Sequence, residues 1–369
     1  MILEGETAYY SKYMILTNYS NIKKLYNYTT MQEIYIEDFT LGEAPYNPVE
    51  DREGKIYYII IGGTLHRNDE QLLQIDTSNL IKNPLYYDSK TDSLWLASFE
   101  SNPAGNFVNF SVFEKPSAAT SNPNPYKISY DDIDSSITSC QAFAVKEDNI
   151  YIAYNNSNIL LTKKNDSSNT KASISLSNIT PALSGEVTDM AVLEDGTVAV
   201  LVNDKNLNPA NQFTLTDGCT VYSRGALVLL SSDLSTYKVY GWTDSPRTIS
   251  ATGSSSDYDV QWDKITAYIP EYAGRNSHFY GPMRIVAIRP KELVIADCGA
   301  NFVLPDYIGK KNGKMFTHNR LMTVNLRNFA IGCKKEFSES DLKFQYLTIS
   351  GNLESVTAGW TNLSAENEK

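Results

Sequence analysis

Residues 186–202 read Glu186-Val-Thr-Asp-Met-Ala-Val-Leu193, Glu194-Asp195-Gly196, Thr197-Val-Ala-Val-Leu-Val202. Two apolar runs of strand length are joined by a turn triplet. Val and Ala runs of this length favour pleated strands, and Asp-Gly favours the positive backbone torsions of a tight hairpin. Downstream, Ala226–Ser232 and Tyr237–Trp242 repeat the pattern around the turn Asp233-Leu234-Ser235. Four antiparallel strands in succession make one blade of a β-propeller.

The same motif, a strand, a turn rich in Asp, Asn or Lys, then a strongly apolar strand, recurs across the chain. It covers Asp51–Ile61, Tyr87–Ala97, Val145–Tyr154, Leu193–Leu201 and Ile288–Ala296. The second strands begin at Ile56, Leu94, Ile150, Val198 and Leu293. The first three intervals scatter around the ~40–50 residues of a blade, and the fourth is about double. Either a blade or an insertion therefore lies between Thr243 and Pro282. Lys12–Thr17, Ile22–Tyr28 and Glu33–Asp38 add three N-terminal strands, and Leu342–Ser350 is available as a fourth. Closing one blade with strands from both chain ends would remove free sheet edges. The expectation is an all-β, single-domain β-propeller over residues 1–369 with six blades, or seven if Val260–Ile269 begins another. A long aromatic-rich insertion spans about 243–282.

Composition agrees. The chain has 25 tyrosines and abundant Asn, Ser and Thr, and sustained helical periodicity is nearly absent. The formal net charge of −11 would repel a phosphate backbone, so nucleic-acid binding is not expected. No apolar run approaches the ~18–20 residues of a membrane-spanning helix. Cys140, Cys219, Cys298 and Cys333 are widely spaced without a C-x-x-C pair, which indicates neither a zinc site nor a redox motif. Cys140 and Cys298 read as buried thiols, and a Cys219–Cys333 disulfide is left open.

Glu292-Leu-Val-Ile-Ala-Asp-Cys-Gly-Ala-Asn301 resembles the second-strand segment of NHL-type repeats, with Phe302 where an Arg often follows. Glu194-Asp-Gly-Thr-Val-Ala-Val200 resembles the turn and strand of SMP-30-like (gluconolactonase-like) six-bladed propellers. The second resemblance implies a divalent cation such as Ca²⁺, held by inner-strand carboxylate and Asn oxygens. Asp189, Asp297 and Asn301 are the candidate ligands, because oxygen-rich sites suit hard cations. Gln141 and Arg284 occupy equivalent inner-strand positions and cannot complete an anionic cage. The alternative use of Asp189 and Asp297 is to accept hydrogen bonds from backbone amides at blade turns.

No G-x-G-x-x-G, Walker loop, H-E-x-x-H or G-x-S-x-G is present, and the three histidines lie far apart in sequence. The acidic stretches Asp257–Asp263 and Asp131–Asp134 read as solvated loops. The remaining candidate site is the insertion, through Trp262, Tyr272, Arg275, His278 and Tyr280. Tyr, Trp and Arg dominate binding hot spots, and aromatic rings stack on sugars. The same rings could instead form a satellite core. The leading expectation is a non-enzymatic binding or scaffold propeller without a cofactor, presenting loops to a protein or glycan. The alternatives are a metal-dependent hydrolase or lactonase and a structural component of a cell-envelope assembly. The acidic, Asn/Ser/Tyr-rich composition suits an exported protein of the periplasm or cell surface, for instance the mature part of a lipoprotein whose leader is absent. A cytoplasmic place is the alternative.

Overall fold

The computed structural model describes residues 13–17, 23–27, 33–34, 46–51, 53, 55–60, 63–67, 70–103, 105–114, 116, 126–131, 137–164, 170–183, 185–206, 219–242, 247–251, 277–279, 281–289, 291–297, 302–303, 313–316, 319–337 and 346–347. These residues form antiparallel sheets, five of which have the blade pattern. The first sheet is β4 (Tyr46–Glu50), β5 (Ile56–Ile60), β6 (Thr64–Arg67) and β7 (Glu70–Gln74). It follows a three-stranded N-terminal sheet of β1 (Tyr13–Thr17), β2 (Lys23–Asn27) and β3 (Glu33–Ile34). The second is β8 (Leu80–Asp88), β9 (Ser93–Asn102), β10 (Gly105–Glu114) and β11 (Tyr126–Asp131). The third is β12 (Cys140–Lys146), β13 (Asn149–Tyr154), β14 (Asn158–Lys163) and β15 (Ala172–Ser175).

In the fourth sheet, β16 (Glu186–Val192), β17 (Val198–Asn206), β18 (Cys219–Leu230) and β19 (Tyr237–Tyr240) run in order, and β20 (Arg247–Ala251) also pairs with β18. The fifth joins β21 (Pro282–Arg289) and β22 (Glu292–Asp297) to β25 (Asn319–Asn325) and β26 (Ile331–Phe337). Between them, β23 (Phe302–Val303) and β24 (Gly313–Phe316) pair with each other, and β24 pairs with β27 (Tyr346–Leu347).

The apolar pattern explains the radial arrangement. In β17, Val198, Val200 and Val202 pack between the third and fourth sheets, while Ala199 and Leu201 pack between the fourth and fifth. In β13, Ile150 and Ile152 face the second sheet, and Tyr151 and Ala153 face the fourth. Successive side chains of a strand point to opposite faces, so a strand sandwiched between two sheets must be apolar at every position. That is why the second strands read as unbroken apolar runs. Tyr57, Leu65, Leu94 and Phe113 make the corresponding core between the first and second sheets. Cores thus lie between each successive pair of the five sheets, and the first strands lie innermost, β12 against β8 and β16, and β16 against β21. This is a β-propeller.

The hairpins between first and second strands are held by short polar side chains. Asp51 Oδ1 accepts from Glu53 N at 2.8 Å and Lys55 N at 2.9 Å, and Asp195 Oδ1 accepts from Thr197 N at 2.9 Å. Gly196 supplies φ +89° in the same turn, as the Asp-Gly signal requires. A chain of bonds ties the second sheet to the third. Trp95 Nε1 donates to Ser93 Oγ at 2.8 Å, the Ser93 and Thr91 hydroxyls lie 2.7 Å apart, and Thr91 Oγ1 donates to Asp88 Oδ2 at 2.6 Å. Asp88 Oδ2 also accepts from Glu147 N at 3.2 Å.

The expected blade number is corrected. Among the described residues there are five blade-type sheets, not six or seven. In the doubled interval before Leu293, Arg247–Ala251 joins the fourth sheet through Cys219–Ser223 of β18, and Val260–Ile269 lies outside the described residues. The described pairing of Tyr346–Leu347 is with β24, and no pairing of that segment with β1–β3 is among the described ones. Cys140 is a buried free thiol, as expected, and burial pushes its pKa up to about 12.

Candidate functional site

Every innermost strand departs from ladder register. The shifts fall between Tyr46 and Val49 in β4, Leu80 and Leu85 in β8, Cys140 and Ala142 in β12, Val187 and Asp189 in β16, and Pro282 and Arg284 in β21. A bulge frees backbone groups from the ladder and re-aims the neighbouring side chains. At β8, β16 and β21 these groups find partners on other sheets, whereas Gln141 at the β12 shift bonds within its own sheet. Thr188 Oγ1 donates to Pro282 O at 2.7 Å, and Asn83 Nδ2 donates to Thr188 O. Gln141 Oε1 accepts from Asn156 N at 3.1 Å while its Nε2 donates to Ser139 Oγ at 2.9 Å.

Asp189 stands at the centre of this polar set. Its Oδ2 accepts from Ile285 N at 2.7 Å and lies 3.7 Å from Arg284 Nε, and its Oδ1 accepts from Met190 N at 2.9 Å. Asn83 Nδ2 approaches Asp189 Oδ1 at 3.4 Å, and Arg284 Nη1 donates to Asn83 Oδ1 at 3.0 Å. Asp189 is only 9% exposed. Burial raises its carboxyl above the usual range, opposed by the Arg284 guanidinium and the amides of Ile285 and Met190. A second pair, Lys82 Nζ to Glu186 Oε2 at 2.7 Å, spans the same two strands, β8 and β16.

Asp297 is fully buried and accepts from Gly281 N at 2.6 Å. Asn301 lies outside the described residues. Both described candidates for metal ligation therefore accept from backbone amides, and Asp189 also faces a guanidinium. The structure does not bring Asp189 and Asp297 together with a third acidic or imidazole side chain among the described residues.

Of the insertion candidates, Trp262, Tyr272, Arg275 and Tyr280 lie outside the described residues. His278 is half-buried, with Nδ1 3.1 Å from Ser277 Oγ. Its neighbour Phe279, not among the candidates, is fully buried in the core between the fourth and fifth sheets. Phe279 N donates to Gly241 O at 2.9 Å and Phe279 O accepts from Gly225 N at 2.9 Å. A Cβ on Gly225 would overlap the Pro282 ring and come within 2.9 Å of Val202 O. A Cβ on Gly241, at φ +72°, would overlap the Phe279 ring. The segment re-enters the propeller through a seat that only glycine leaves open.

The sequence placed Asp189 and Arg284 on inner strands but did not single out Asn83, and the meeting of the three was not legible because they are far apart in the chain. The only available signal was the polar residue embedded near the start of apolar first strands.

No curated protein matches the chain. Among solved structures it is similar to a protein of unknown function from Bacteroides caccae (11% identity, TM-score 0.46, covering 91% of this chain and 97% of that one). It is also similar to YCF48 bound to a D1 peptide (14% identity, TM-score 0.35, covering 80% and 78%). A third is dihydro-heme d1 dehydrogenase NirN in complex with DHE (10% identity, TM-score 0.36, covering 90% and 74%). Residues 159–344, about half of the sequence, match the family described as the TdpA C-terminal domain, which is neither the NHL nor the SMP-30-like family. They take in the fourth sheet, the insertion and all of the fifth sheet, so by that match the chain belongs to the TdpA C-terminal domain family.

Proposed function

We propose that this chain is a non-enzymatic binding or scaffold propeller that presents the insertion after β19 to a protein or glycan partner. The observation that carries the reading is the anchoring of that insertion at both ends. On one side β20 pairs with β18 from Cys219 to Ser223, and on the other Phe279 is seated between Gly225 and Gly241. Recognition loops work when a rigid scaffold fixes their ends, since less ordering entropy is lost on binding. Trp262, Tyr272, Arg275 and Tyr280 supply contact chemistry of the kind that dominates hot spots. Export to the periplasm or cell surface belongs to the same proposal and rests on the acidic, Asn/Ser/Tyr-rich composition.

The test compares the full chain with a variant in which residues 252–276 are replaced by a short Gly-Ser linker. Both are immobilised and exposed to extract of the source cells and to a glycan array. The expected result is a defined ligand retained by the full chain and lost by the variant, with equal melting temperatures. Retention by both, or by neither, overturns the proposal.

A further inference from the structure

The polar contacts at the inner bulges do not run between neighbouring sheets alone. Asn83 belongs to the second sheet, Asp189 to the fourth and Arg284 to the fifth. First strands face the axis of a propeller, so bonds that skip a sheet must pass across the channel. Asn83 makes two such bonds at once: its Nδ2 donates to Thr188 O and its Oδ1 accepts from Arg284 Nη1. Lys82 and Glu186 repeat the connection between β8 and β16 beside it. The irregular stretch of β8 between Leu80 and Leu85, which holds both Lys82 and Asn83, is what frees these side chains from the β9 ladder.

We propose that Asn83, Asp189 and Arg284 form a strap across the channel that ties three inner strands together and holds β21 in register against β16. The register of β21 needs such a device. Its ladder with β22 shifts twice, between Pro282 and Arg284 and between Ile285 and Ala287. The Ile285 amide, caught between the two shifts, is held by Asp189 Oδ2. Asp189 is in turn steadied by Arg284, whose guanidinium is shared with Asn83. The strap is a conformational device independent of the insertion and its ligand. When it opens, β21 is the first element released, because the other inner strands carry one register shift each. Burial of the Asp189 carboxyl beside its counter-charge makes the strap an all-or-none contact: a buried charge deprived of its partner is strongly destabilising.

The experiment is native-state hydrogen exchange, read by mass spectrometry, on the full chain as wild type, D189N and N83A. The expected result in D189N is exchange at least tenfold faster in peptides covering β21, with peptides covering β13 and β17 unchanged. N83A keeps the ion pair and should give the same local pattern with a smaller, several-fold acceleration. If D189N does not fold, N83A alone decides. Equal acceleration in all five sheets, or no acceleration in β21, overturns the strap.

Discussion

The Asp189 carboxylate accepts the Ile285 amide at 2.7 Å across the seam between the fourth and fifth sheets. One side chain thus satisfies a bulge amide and neutralises Arg284. D189A leaves the Arg284 guanidinium without its counter-charge and the Ile285 amide without its acceptor in a largely buried place, a loss of about 3–5 kcal/mol. D189N keeps an oxygen for the Ile285 amide and is expected to cost clearly less. Urea unfolding of both variants checks the order. The pH dependence has a definite sign. The folded carboxyl titrates above its usual 3.8, so the folded state binds the proton more tightly than the unfolded chain. The Asp189 contribution to stability is therefore fully present below pH 3.8 and diminishes as pH rises through the folded pKa. The wild-type stability advantage over D189N should shrink in that window and level off above it.

His66 stacks on Tyr58 with ring centroids 5.3 Å apart, and neither ring nitrogen has a hydrogen-bond partner among the described residues. Burial lowers its pKa from 6.5, so the unfolded chain takes up the proton first as pH falls. Stability is expected to decline below pH 6.5 and to fall less steeply in H66F, which keeps the stack. Thermal melts between pH 5 and 8 measure this. A steeper decline in H66F would count against it.

Gly225 is expected to be intolerant of any side chain. G225A drives a methyl group into the Pro282 ring and toward Val202 O. Overpacking of this kind costs about 1–3 kcal/mol. The loss should appear as a lower urea midpoint, and in limited proteolysis as earlier cleavage next to Phe279.

Asp189 and Asp297 both accept from backbone amides, and Arg284 already neutralises the first. Adding Ca²⁺, Mg²⁺, Mn²⁺ or Zn²⁺ after EDTA is therefore expected to leave the melting temperature unchanged. A saturating ion at about 100 times its Kd would stabilise the fold by ~2.7 kcal/mol and raise the midpoint by roughly 3–4 °C for a chain of this length, which a melt resolves. A rise of that size with one ion would restore a metal role for these carboxylates.

Much of the fold was legible along the chain. The five strand–turn–strand motifs found by pattern are the β4–β5, β8–β9, β12–β13, β16–β17 and β21–β22 hairpins. They were legible because each is a local unit, with a polar turn between apolar runs, and Asp195-Gly196 or Asp51 announces its geometry within a few residues. The sixth blade was counted from the three N-terminal strands, which pair as a three-stranded sheet, and the seventh from the spacing before Leu293. A long strand such as Cys219–Leu230, with an outlying partner at Arg247–Ala251, consumes sequence without adding a sheet. The burial of Phe279 had no signal separating it from the aromatic residues around it.

The sequence by itself determined the strand class, the hairpins and the alternation that makes each second strand apolar on both faces, because these depend on neighbours a few residues apart. Tertiary structure alone decided the number of sheets, the glycine seat of Phe279 and the meeting of Asn83, Asp189 and Arg284. Those contacts join residues roughly forty to two hundred positions apart, and only the packing of sheets around a common axis brings them within hydrogen-bonding distance.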